Sequence, residues 1–154
     1  MMNLKTDSLS KILYVIILLG LIALTGVILG LPWVIPVIFK DSTFYSMVNH
    51  NALLVLLYVT GIPTWIILWM TKRLAKNIIK RESFSESSIF SLKGISICAI
   101  IVFICYLYTC LFLSATLGTI VITIGAFMVS LISTIIYKLV QVAIEIQKEN
   151  ELTI

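Results

Sequence analysis

The chain has 154 residues, 60% of them hydrophobic and 12% charged, with a formal charge of +4 and a mean hydropathy of +1.14. A soluble domain draws only about half its residues from the apolar set, so this composition excludes a soluble globule and predicts an all-α integral membrane protein. Uncharged runs occupy residues 12–39, 49–71 and 94–137, and a spanning helix takes about 20 residues.

The third run is long enough for two spans. Ser114-Ala115-Thr116-Leu117-Gly118 is its only turn-like stretch, which predicts a tight hairpin there. Four transmembrane helices follow, at about 12–31, 52–71, 95–113 and 119–137, with a loop at 72–94 and a tail at 138–154. The first run is longer than the roughly 7–15 apolar residues of a secretory signal, and no small-residue cleavage pattern follows it. It reads as a retained span.

Basic residues assign the sides, because Lys and Arg near span ends stay cytoplasmic. Lys5 and Lys11 precede the first span, Lys72, Arg73, Lys76, Lys80, Arg81 and Lys93 separate the second from the third, and Lys138 and Lys148 follow the fourth, against Lys40 alone opposite. Both termini are expected in the cytoplasm, and both the loop and the tail are expected to be helical cytosolic extensions. The positive inner face fixes topology and meets anionic lipid heads; a specific docking role is the alternative.

In the first span Gly20, Ala23, Gly26 and Gly30 share one face, and Gly26 and Gly30 form a GxxxG pair. Such residues let backbones approach in lipid, so Gly26 and Gly30 are expected to pack on a neighbouring helix, with a homo-oligomer interface as the alternative. Leu31-Pro32-Trp33-Val34-Ile35-Pro36 is expected to end the span, since proline disfavours helix before it and tryptophan prefers the headgroup layer. A short outer loop at 40–46 follows. His50, between Asn49 and Asn51, reads as a solvated loop residue, because one histidine without Cys or paired acids is a poor metal site.

Pro63 stands mid-span in Thr60-Gly61-Ile62-Pro63-Thr64-Trp65, where it leaves the carbonyl of Val59 unpaired and kinks the helix. Thr60 or Thr64 could partly satisfy freed groups. The break is either a shape feature or a ligand site of the kind found in transporters. Cys98, Cys105 and Cys110 lack CxxC spacing and read as small apolar residues. In the fourth span Thr119, Thr123, Ala126, Ser130, Ser133, Thr134 and Tyr137 share one face, which should turn inward to hydrogen-bond.

No Asp, Glu, Lys, Arg or His lies inside any span, although proton relays, cation paths and charged-substrate sites in membranes depend on such residues. A pump or ion-coupled carrier is not expected. Nor is there a Ser/His/Asp set, a HExxH or a Gly-rich phosphate loop, so no enzyme activity and no cofactor or metal is expected.

Beyond the second span, Leu74, Ala75, Ile78 and Ile79 continue an apolar stripe among Lys72, Arg73, Lys76, Lys80 and Arg81. Ser83 and Glu86 form an S-x-x-E capping box that starts a helix carrying Ile89, Phe90 and Leu92. The tail extends the fourth helix with Leu139, Val142, Ala143 and Ile146, and with Glu145, Lys148 and Glu149 on its polar sides. The economical arrangement docks the tail on the basic 72–93 segment. The candidate interaction surface is therefore Lys72, Arg73, Lys76, Ile78, Phe84, Glu86, Ile146, Glu149 and Leu152.

Gly30-Leu31-Pro32-Trp33, Thr60-Gly61-Ile62-Pro63, Glu82-Ser83-Phe84-Ser85-Glu86 and, above all, the terminal Lys148-Glu149-Asn150-Glu151-Leu152-Thr153-Ile154 resemble the bacterial membrane family known as domain of unknown function 2975. The likeness runs through the chain in order. It departs at 87–93, where members often carry a more polar, lysine-rich helix. The resemblance implies a four-span protein of the bacterial cytoplasmic membrane, often encoded beside a small helix-turn-helix regulator.

The leading expectation is a non-enzymatic regulatory or accessory protein whose cytosolic loop and tail engage a protein partner, without binding nucleic acid itself. The alternatives are self-immunity against a membrane-active peptide and a minor carrier of an uncharged solute.

Overall fold

The computed structural model of the chain describes residues 2–38, 50–80, 84–113 and 115–152. Among them are four long helices: α1 (Met2–Ile38), α2 (His50–Ile79), α3 (Glu86–Tyr108) and α4 (Leu117–Leu152). Each holds a stretch long and apolar enough to cross a bilayer. The predicted outer loop at 40–46 and the predicted capping residue Ser83 fall outside the described residues, as does the side chain of His50.

The helices pack in chain order, α1 on α2, α2 on α3 and α3 on α4. Short connections make successive neighbours antiparallel, so the start of α1, the end of α2, the start of α3 and the end of α4 share one end of the molecule. Leu31 and Ile35 of α1 are buried against Leu53 of α2 at the other end. Closer to the basic end, the Trp65 indole of α2 donates to Thr25 Oγ1 of α1 at 3.0 Å. Between α3 and α4, Ser96 Oγ lies 2.7 Å from Thr134 Oγ1, and just past the end of α3, Cys110 Sγ lies 3.6 Å from Thr123 Oγ1 of α4. The hydroxyl face expected on the fourth span thus turns onto α3, with Thr123, Ser130 and Ser133 buried.

The first span does not end at Pro32. α1 continues through Pro32 and Pro36 to Ile38. Each proline forfeits one helical hydrogen bond, but Ile35 is 1% exposed in its contact with α2. Unwinding would free further backbone groups where no water can satisfy them.

The expected packing of Gly26 and Gly30 is also corrected. A Cβ on Gly26 would meet nothing within 4 Å, and one on Gly30 would meet only Val34 of its own helix. The α1 seam is built instead from Ile17, Leu21, Leu31 and Ile35. The close glycine contact lies elsewhere, since a Cβ on Gly94 of α3 would come within 2.5 Å of Met70 Sδ on α2.

These contacts fix the relative heights of the helices. Met70 against Gly94 and Ser96 against Thr134 bring Lys72, Lys93 and Lys138 to within about a turn of one level. On α1 the same level falls near Leu18, as far from Thr25 as Lys72 is from Trp65. The part of α1 level with the stretch between the other spans' lysines therefore begins near residue 18, within an apolar run that itself covers Ser8–Val37. Leu9, Ile12, Leu13, Val15 and Ile16 lie exposed past the lysines, over about 10 Å of helix.

A π-helical segment, Thr109–Leu113, follows α3. The chain then reverses where the hairpin was predicted. Thr116 and Thr119 cap α4 reciprocally: the Thr116 N–H donates to Thr119 Oγ1 at 3.0 Å and the Thr119 N–H to Thr116 Oγ1 at 3.2 Å.

Candidate functional site

At the basic end, the N-cap of α3 lies two residues later than the predicted Ser83. Ser85, in extended conformation, is the N-cap, and its Oγ accepts from the Ser88 N–H at 3.3 Å. The side-chain amide of Asn77 reaches across from α2 and donates to Ser87 Oγ at 3.3 Å and Ser88 Oγ at 3.1 Å. Ser88 and Ser91 are fully buried, and the Ser91 hydroxyl donates to the Ser87 carbonyl at 2.9 Å. A buried amide is tolerable only when partnered, so this cluster clamps the end of α2 to the start of α3.

On another side of α2, Trp69, Lys72, Arg73 and Lys76 line a cleft of about 290 Å³. Lys72 Nζ lies 4.6 Å from the centre of the Trp69 ring, an attractive cation–π distance. Trp69 in turn stacks on Trp65, with ring centres 5.4 Å apart. The structure thus brings Lys72, Arg73 and Lys76 together, but around an indole and not around the tail.

The tail meets the 72–93 segment through its α3 part, and the expected burial of the tail against the α2 extension is corrected. α4 packs along α3 to its end, where Lys148 Nζ lies 3.5 Å from Glu86 Oε1. Ile78 and Ile146, expected to bury one another, are 42% and 54% exposed. The seam of α4 runs through Val140, whereas Leu139, Val142 and Ile146 form an outward stripe. The tail is apolar on two faces, and sequence spacing does not say which of them meets α3. Phe84 is exposed just before α3, Glu149 is exposed near the end of α4, and the side chain of Leu152 lies outside the described residues.

Mid-span, Pro63 is buried inside an unbroken α2. The Thr60 hydroxyl donates to the Leu56 carbonyl at 2.8 Å, and that of Thr64 to the Thr60 carbonyl at 2.7 Å. Neither hydroxyl turns to the carbonyl of Val59, whose usual donor the proline lacks. A space of about 210 Å³ opens beside this break and is lined from all four helices, by Leu24, Thr60, Thr64, Val102, Tyr106 and Ile122 among others. Among the described residues its walls offer hydroxyl groups but no carboxylate, amine or imidazole. A second, almost wholly apolar cleft of about 450 Å³ lies toward the other end, between Asn51, Val55 and Val59 of α2 and Tyr108, Thr109 and Leu113. No group of three potential metal ligands occurs among the described residues.

Sequence reasoning missed the Asn77–Ser87–Ser88 clamp, although a lone Asn in a basic stretch and a serine-rich turn were visible. The Trp65–Thr25 bond carries no local sequence signal, because the two residues lie on different helices.

The family described as "Protein of unknown function (DUF2975)" matches residues 5–154. The chain is also similar to "Uncharacterized membrane protein YoaS" of Bacillus subtilis (strain 168), with 32% identity over 108 residues, 64% of this chain and 68% of that protein. No solved structure matches the chain.

Proposed function

The chain belongs to the DUF2975 family, and we propose that it is a membrane-bound regulatory or accessory protein of the bacterial cytoplasmic membrane. It acts through the helical ends of α2, α3 and α4 on a cytosolic protein partner. One observation carries this reading: past the level of Lys72, Lys93 and Lys138, ordered helix continues and still exposes Ile78, Phe90, Leu139, Val142 and Ile146. Large apolar side chains grouped on the polar side of a membrane boundary mark interaction surfaces. Both termini lie in the cytoplasm in this reading, consistent with ten of the eleven Lys and Arg residues at that end.

The partner favoured by the resemblance is a small helix-turn-helix regulator encoded beside the gene. The test is co-purification of the full chain with the neighbouring regulator, together with that regulator's DNA occupancy in cells. Ile146→Asp should reduce capture at least tenfold, since burial of one large aliphatic side chain is worth about 1.5–3 kcal/mol, and the variant should still insert normally. Glu149→Lys should change capture only a few-fold. Regulator occupancy that is indifferent to deletion of the membrane protein would refute the reading.

A further inference from the structure

The cleft at Trp69, Lys72, Arg73 and Lys76 adjoins a second groove one turn closer to the bilayer centre. That groove has a volume of about 230 Å³, lies between α1 and α2, and is walled by Thr25, Ile28, Leu29, Ile62 and Trp65. The stacked indoles connect the two, because Trp65 lines the groove and Trp69 lines the cleft. No carboxylate among the described residues lines the cleft, so Lys76, three residues from Arg73 and four from Lys72 on one helix, is repelled by both until an anion joins them. The groove offers no free polar group in exchange, since the Thr25 hydroxyl is already held by Trp65 and by the Leu21 carbonyl.

We propose that these two depressions form one site for an anionic phospholipid, whose headgroup phosphate lies among Lys72, Arg73 and Lys76 and whose acyl chain lies in the α1–α2 groove. The dimensions agree. From Arg73 to Ile62 is about 16 Å along the helix, and half the hydrocarbon core is about 15 Å. A soluble anion would match only the cleft, and an acidic peptide would have no use for a groove at membrane depth. The amphiphile matches both. The apolar residues on which the proposed protein partner rests, Ile78, Phe90, Leu139, Val142 and Ile146, line neither depression, so the two readings can fail separately.

The full chain carrying Trp33→Phe, which removes the distant indole, is reconstituted into phosphatidylcholine vesicles. Tryptophan emission is then titrated with lipid bearing brominated acyl chains. Half-maximal quenching should require at least threefold less brominated phosphatidylglycerol than brominated phosphatidylcholine. Arg73→Gln with Lys76→Gln should abolish that preference, whereas Lys138→Gln with Lys148→Gln, an equal loss of charge on α4, should leave it intact. Leu29→Phe, which crowds the groove, should weaken the preference at least twofold. Equal quenching by the two lipids would overturn the proposal, and so would equal loss in both double variants, which would leave only a diffuse surface potential. Displacement of the brominated lipid by millimolar inorganic phosphate or by an oligoglutamate would assign the cleft to a soluble anion or a protein instead. Helical circular dichroism of every variant separates these outcomes from misfolding.

Discussion

The Trp65 indole donates to Thr25 Oγ1 across the α1–α2 seam at 3.0 Å, while the Thr25 hydroxyl donates to the Leu21 carbonyl at 2.7 Å. One oxygen therefore both accepts and donates, and it anchors α1 midway along its seam. Interhelical side-chain hydrogen bonds in membranes average about 0.6 kcal/mol. A double-mutant cycle of Trp65→Phe and Thr25→Val, measured by reversible unfolding in mixed micelles, should return a coupling of about that size. Strict additivity of the two changes would show that the bond contributes nothing.

Two glycines should respond in opposite ways to enlargement. Gly94 faces the Met70 thioether so closely that a side chain there must displace it, and a branched one must crowd the α2–α3 seam as well, whereas Gly26 faces open space. Overpacking costs about 1–3 kcal/mol, so Gly94→Leu should lower the thermal midpoint in detergent by several degrees. Gly26→Leu should leave it unchanged or raise it, because a glycine in mid-helix is about 1 kcal/mol less favourable than alanine. A loss of stability in Gly26→Leu would place another helix against that face.

At the basic end the buried amide should outweigh the visible ion pair. Glu86 and Lys148 are 85% and 64% exposed, and such pairs contribute about 0–1 kcal/mol. Asn77→Ala removes two hydrogen bonds from a buried cluster and should cost about 1–3 kcal/mol. Hydrogen exchange read by mass spectrometry should show faster opening of the α2 end and the α3 start in Asn77→Ala. Glu86→Gln should resemble the parent. The reverse ranking would make electrostatics the dominant fastening.

Replacing Pro63 by alanine supplies the N–H that the Val59 carbonyl lacks. Proline inside a helix costs about 3 kcal/mol relative to alanine, and part of that should return as a higher thermal midpoint. If Pro63→Ala is more stable and regulator capture falls, the break is used in function. Unchanged capture would leave it a matter of shape.

Reporter fusions after Asn3, Glu82 and Ile154 should all report cytoplasm, and one inserted at Ser42 should report the exterior. An exterior signal at Glu82 would contradict the assignment made from the basic residues.

Four helices and their approximate extents were legible because uncharged length is a one-dimensional property. The hairpin at 114–118 was legible because polarity and small size coincide there. Three features were not. Pro32 looked like a terminator, but whether a helix survives proline depends on what Leu31 and Ile35 press against. The Gly26–Gly30 pattern looked like a seam, but a glycine does not say whether a neighbour approaches it. The tail looked complementary to the basic α2 end, yet α3 is the helix α4 packs along, and local charge pattern carries no record of neighbour order. The basic residues of the candidate site were readable one by one; their gathering around Trp69 beside an apolar groove was not, because that groove borrows one wall from α1.

Beyond Leu18, α1 continues to Ile12 with exposed apolar residues and no charge, whereas past the same level α4 sets Lys138, Glu145 and Lys148 among its apolar residues, so one flank of the protein is taller, in hydrocarbon terms, than the flank formed by α4. Lipid beside α1 must stretch or the helix must lean, at a cost of fractions of a kcal/mol for each Å, and the surplus is about 10 Å. The molecule is thus a one-sided wedge. It should gather where the bilayer is thick, and it should orient its α1 flank toward any other protein that has already thickened the lipid around itself.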